Sequence, residues 1–182
     1  MKKLYLLLLF TIAILNANNS DSEIQYEKTK KFKIATSPIN LIAGLTFING
    51  EYAVTQNIGV GLTYVYIGLS DDVAEIEGSS LGINLRYFFD SFSKDGWYVN
   101  AEVESGSIDG SGTGYNPVKI DGDYTGFMLL GGYQWIWDSV FINLGFGMAS
   151  YSGNFQVSNY DEDNIPFNGS KPQGEFNLGF AF

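Results

Sequence analysis

The stretch Leu81-Gly82-Ile83-Asn84-Leu85-Arg86-Tyr87 puts a large apolar side chain at every odd position and a small or polar one at every even position. In an extended chain successive side chains point to opposite faces, so a period of two marks a β-strand with two unlike faces. The same alternation runs through Ile58-Gly59-Val60-Gly61-Leu62-Thr63-Tyr64 and Trp97-Tyr98-Val99-Asn100-Ala101-Glu102-Val103-Glu104. It returns in Val140-Phe141-Ile142-Asn143-Leu144-Gly145-Phe146-Gly147 and in Phe176-Asn177-Leu178-Gly179-Phe180-Ala181-Phe182. No convincing period of 3.6 follows residue 17.

One face is apolar throughout. The other carries glycines, among them Gly59, Gly61, Gly82, Gly126, Gly132 and Gly145, and sparse polar groups such as Asn84, Arg86, Asn100 and Asn143. A soluble sandwich also alternates, but its outer face is rich in lysine and glutamate and stands in water. Charged residues are only 16% here, against about 25% in an ordinary globular protein. A glycine-rich, weakly charged face suits the crowded interior of a small closed barrel, and a purely apolar face suits contact with lipid. The expected fold is therefore all-β, an antiparallel transmembrane β-barrel over 31–182.

The amino-terminal segment reads differently. Lys2 and Lys3 precede an apolar run from Leu4 to Leu15, and Leu15-Asn16-Ala17 forms a small-residue cleavage site. This is the pattern of a secretory signal peptide, 1–17; an uncleaved anchor is the alternative, but the run is short for a spanning helix. Residues 18–30 form a polar tail on the periplasmic side, whose lysines would meet anionic headgroups. Losing Lys2 and Lys3 changes 10 basic and 20 acidic side chains to 8 and 20, a net charge of −12. Such a chain repels phosphate backbones, so nucleic acid is not an expected partner. The absence of cysteine rules out a disulfide scaffold in an oxidising compartment.

Connections give the topology. Short ones at 55–57, 92–95 and 138–139 alternate with longer polar segments at 71–78, 109–121 and 153–171, the arrangement of barrels with short periplasmic turns and longer extracellular loops. Strands are expected near 45–54, 58–69, 79–89, 97–108, 124–137, 140–152 and 174–182. An ascending strand at 31–40, joined through 41–44, makes eight. The alternative, one long strand over 39–54, makes seven and leaves an unmatched edge. Lys33 and Pro38 are poor residues for a central strand. Trp97, Trp135 and Trp137 lie beside short turns with Tyr52, Phe89, Tyr98 and Phe141, as an inner aromatic girdle would; Tyr64, Tyr66, Tyr124 and Tyr151 would form the outer one.

The segments Asn49-Gly50-Glu51-Tyr52-Ala53, Leu85-Arg86-Tyr87-Phe88-Phe89, Gly96-Trp97-Tyr98-Val99 and Gly131-Gly132-Tyr133-Gln134-Trp135 resemble small eight-stranded bacterial outer-membrane barrels. That group includes the OmpA transmembrane domain, OmpX, OmpW and the opacity proteins, and the likeness covers 31–182. The resemblance implies a place in the outer membrane among its lipids and lipopolysaccharide. It also implies that Phe176, Leu178, Phe180 and Phe182 are the signal read by the barrel-assembly machinery.

Chemistry is limited by what the chain lacks. Without histidine or cysteine there is no Ser-His-Asp triad, no Cys-His pair and no conventional zinc site. The outer-membrane barrel enzymes resemble one another in using a histidine, so none of their mechanisms maps here. Glu102 and Glu104 sit on one face about 6–7 Å apart, near a retaining-glycosidase spacing, but a filled lumen gives a sugar no room. No enzymatic activity and no cofactor are expected. The better reading is a lumen cluster of Glu51, Arg86, Glu102, Glu104, Gln134 and Glu175, in which Arg86 pairs with at least one carboxylate because an isolated buried charge is costly. Oxygen-bearing side chains at Asp71, Asp72, Glu75 and Glu77 and in Asp161-Glu162-Asp163-Asn164 could hold calcium, but their spacing is not that of an EF-hand and solvated loops explain them better.

Two functional readings follow. One is a non-enzymatic surface barrel with a structural, adhesive or partner-binding role through its long loops. The other is a narrow channel or conduit for small or apolar solutes, against which stands the filled interior of an eight-stranded barrel.

Overall fold

A computed structural model describes residues 30–70, 74–112, 119–158 and 165–182. The segment read as a signal peptide, nearly all of the residues read as a polar tail, and the acids at 71–72 and 161–163 lie outside the described residues. Eight antiparallel strands close into a barrel in sequence order: β1 (Phe32–Thr36), β2 (Leu45–Ala53), β3 (Ile58–Ser70), β4 (Ala74–Phe88), β5 (Gly96–Gly112), β6 (Lys119–Trp137), β7 (Val140–Val157) and β8 (Ile165–Ala181). β8 pairs back onto β1 over 178–181 against 33–36.

The ladders fix the barrel's width. Following pairs around the ring from Thr36 leads through Ile48, Tyr64, Leu81, Ser105, Thr125 and Ser152 to Asn168, whereas at the seam Thr36 faces Leu178. The difference between 178 and 168 is a shear of ten residues. Eight strands with that shear tilt by about 40° and leave a backbone radius of about 8 Å. Such a lumen is filled wherever side chains are large and open wherever they are small.

Period-two alternation makes the two surfaces. Along β4, Gly82, Asn84, Arg86 and Phe88 are buried while Leu81, Ile83, Leu85 and Tyr87 face out. Inward glycines make room for opposing side chains. A Cβ on Gly82 would meet the Glu102 carboxylate, one on Gly61 the Asn84 amide, and one on Gly132 the Tyr98 ring. The outward side chains form a continuous apolar girdle. Phe176, Leu178 and Phe180 lie in its outward row, and Phe182 is exposed beside Phe32.

Three expectations change. The first ascending strand is separate, as the count of eight requires, but β1 is only five residues. Pro38–Ile42 is a short helix, α1, capped by Ser37, whose hydroxyl accepts from Asn40 N at 3.4 Å. Ser-Pro is a helix-start signal, with the serine as cap and the proline in the first turn, where it needs no donor. α1 therefore excludes one strand over 39–54.

Much of the segments read as long loops is sheet. β4 and β5 pair up to Ala74↔Gly112, and β6 and β7 up to Ile120↔Val157. The apolar alternation fades there, but backbone pairing continues without it.

Some aromatics also change sides. Tyr98 and Phe141 are buried in the lumen, and Tyr124 and Tyr151 point inward. Each shares the parity of inward neighbours: Tyr98 with Asn100, Phe141 with Asn143, Tyr124 with Gly126. Trp97 and Trp137 do stand outside, and Trp135 packs 4.8 Å from the Tyr133 ring, itself 5.2 Å from Trp97.

Candidate functional site

The lumen residues expected as one cluster form three groups along the barrel. Nearest the short turns, Lys33 of β1 is buried and donates to Gln134 Oε1 at 2.5 Å. Its ammonium lies 3.8 Å from the Phe92 ring centroid, 4.3 Å from Phe88 and 5.3 Å from Phe141. Gln134 also donates to the carbonyls of Phe92 and Lys94 (3.2 and 2.8 Å), which ties the 89–95 turn into the barrel's base. A strand lysine is poor when it must face lipid. Here it faces inward, and three ring faces replace part of its hydration.

The second group is built on Arg86. Its Nη2 meets Glu175 Oε1 at 2.6 Å, and its Nη1 lies 3.6 Å from Glu51 Oε2. These are the ion pairs formed among the described residues. Tyr98 donates to the other Glu175 oxygen (2.9 Å) and lies under the guanidinium, 4.5 Å from ring centroid to Cζ. Asn177 donates to Glu175 Oε1 at 2.7 Å, and the Asn143 amide oxygen accepts from Arg86 Nη1 at 2.6 Å. Two carboxylates and one guanidinium, with two amides and a phenol around them, form a layer of side chains across the barrel. Together with the Lys33 layer it plugs the lower lumen.

Glu102 and Glu104 are elsewhere. An amide chain leads towards them from Asn100 through Asn84 and Asn49 (3.3 and 3.2 Å). Asn49 also donates to Thr63 Oγ1 at 3.1 Å, and the Thr63 hydroxyl bonds Glu102. Glu104 accepts from Ser80 Oγ (3.2 Å) and from the Tyr151 hydroxyl. Among the described residues neither glutamate has a cation within 4 Å.

Above Arg86 the lumen opens. A cavity of about 320 Å³ begins at Arg86 and Glu175. Phe47, Glu102, Met128 and Gln173 line both this cavity and a wider, adjacent cup of about 560 Å³. Glu102 and Glu104 form the polar floor of the cup, and Tyr124, Tyr151, Phe155 and Phe167 form part of its wall. The rings pair as Tyr124–Tyr151 (5.9 Å) and Phe155–Phe167 (4.9 Å). Among the described residues no group of three or more acids is placed to hold a metal ion.

Fold and lumen together define a class: a closed eight-stranded antiparallel barrel, plugged at its short-turn end and cupped at the other. The chain matches no protein-family model and no curated protein.

Proposed function

We propose that this chain is a non-enzymatic β-barrel of the bacterial outer membrane that works by binding at its open end. The supporting observation is its inside-out distribution of polarity. Leu62, Ile83 and Phe146 are about two-thirds exposed (65%, 63% and 67%), while Arg86, Asn84 and Gln134 are almost wholly enclosed (2%, 1% and 0%). Soluble monomers rarely expose apolar patches beyond a few hundred Å². A girdle around a closed ring is instead the surface that hydrocarbon tails wet, and ring closure pairs the backbone groups that lipid cannot. The tryptophans outside the wall near the short turns suit a headgroup boundary. The sequence likeness to the small outer-membrane barrels favours the same location, with lipids and lipopolysaccharide around the girdle and the barrel-assembly machinery as the partner in biogenesis.

The test is folding into phosphatidylcholine vesicles, followed by gel electrophoresis in dodecyl sulfate. Unheated protein is expected to run ahead of boiled protein. The reading fails if the chain reaches its full strand content in buffer without any amphiphile.

The two adjacent lumen cavities favour a second reading, a conduit, which the Arg86 and Lys33 layers oppose. Planar-bilayer recording separates the two. Silence is the expected result, and steady discrete openings would establish the conduit.

A further inference from the structure

We infer that the upper cup is a binding site for a small amphipathic organic cation, an alkyl- or arylammonium with its charge at the glutamates and its apolar part along the rings. The inference deepens the binding role proposed above and rests on it for the direction in which the cup opens.

Volume comes first. About 560 Å³ lies within the range of roughly 300–1,000 Å³ typical of small-molecule sites. Glycine makes room for the site's own groups: a Cβ on Gly126 would fall 2.7 Å from the Tyr151 ring and 2.9 Å from Glu104 Cγ. The wall is mostly apolar and aromatic, so a purely hydrophilic solute gains little there.

Charge selects the sign. Glu102 is 7% exposed, and both glutamates accept only from neutral hydroxyls among the described residues. Arg86 is already engaged by Glu51 and Glu175, leaving the floor of the cup with two carboxylates and no paired cation among the described residues. A carboxylate with little water around it costs free energy to keep charged, and an ammonium beside it offsets that cost where an anion would add to it.

The wall supplies the second determinant. Ring faces attract ammonium groups, quaternary ones included. Lys171 at the rim shows the mode, with its Nζ 4.8 Å from the Tyr151 ring centroid. That side chain is exposed and acts as a tethered competitor for the site.

The test uses the full barrel in phosphatidylcholine nanodiscs, with unheated gel mobility confirming the fold and empty discs as the blank. Octyltrimethylammonium, octanoate and octanol are titrated separately by calorimetry. The cation is expected to bind saturably, and octanoate at least tenfold more weakly. Glu102→Gln with Glu104→Gln should weaken cation binding at least tenfold while keeping the unheated mobility. Lys171→Gln should strengthen it two- to threefold. Equal binding of octanoate or octanol, no saturable heat with the folded barrel, or full affinity in the double variant would each overturn the inference. Failure of the unheated mobility in the wild-type protein would instead count against the membrane-barrel reading itself.

Discussion

Arg86 stands where neither Glu51 nor Glu175 is open to solvent, and its single guanidinium is shared between the two carboxylates. Removing one member of such a set leaves uncompensated buried charge, at a cost of about 3–5 kcal/mol. Arg86→Met should therefore lower the unfolding free energy of the vesicle-folded barrel, read from urea titration, by that amount. The triple change with Glu51→Gln and Glu175→Gln should recover most of it, because no charge then remains to be paired. A triple variant as unstable as the single one would show that packing, not charge, sets the loss. The inward parity of Arg86, Glu102 and Glu175 is legible in the alternating sequence, since every neighbour two positions away except Phe88 is polar. Which carboxylate meets Arg86 is not, because partners come from β2 and β8, and strand tilt sets their relative height. Lys33 shows a different limit. Its parity with Ala35 places it inside, but the three rings that receive it lie on β4, the 89–95 turn and β7, which only the closed ring brings together.

Turns and strand ends follow local rules. Asp138, with φ 48°, is the non-glycine residue in a left-handed conformation among those described, at the two-residue turn between β6 and β7. Mirror-image turns match the twist of the hairpin they close and require this conformation, which short polar side chains tolerate. Asp138→Gly should leave the unfolding midpoint nearly unchanged, whereas Asp138→Val should cost about 1–2 kcal/mol. Gly179 tests space rather than conformation. A Cβ there would fall 2.7 Å from the Phe141 ring and against the Ile34 carbonyl. Gly179→Val should destabilise by about 1–3 kcal/mol through overpacking, whereas Gly174→Ala, where a Cβ meets nothing within 4 Å, should be close to neutral in the same assay. Strand existence is legible from the alternation, but strand length is not. Above the girdle, stretches such as Glu75-Ile76-Glu77 lose the apolar signal although their backbones still pair with β5. α1 is hidden for a related reason: five residues are too few to display a helical period.

The barrel as a whole predicts how substitutions divide by depth. On the girdle, Phe146→Arg should cost about 2–4 kcal/mol in lipid vesicles, whereas Gln156→Arg, farther along the same strand towards the open end, should stay within about 0.5 kcal/mol. Equal costs at both positions would argue against a hydrocarbon belt. The eightfold closure could be counted from the sequence, but the shear could not. It is a sum over every register, and the cup's width follows from it.

The seam carries a mechanical consequence. β6 and β7 face each other over 120–137 against 140–157, but the seam between the first and last strands is held only over 32–36 against 178–182, joining segments more than 140 residues apart in the chain. Bringing such distant pieces together has a large loop-closure cost for few bonds, so this junction forms last and gives way first. Amide hydrogens of Ala35 and Gly179 are expected to exchange faster than those of Leu129 and Met148. Under warming or pulling, the cylinder should unzip along that line into a curled sheet before any other strand pair parts.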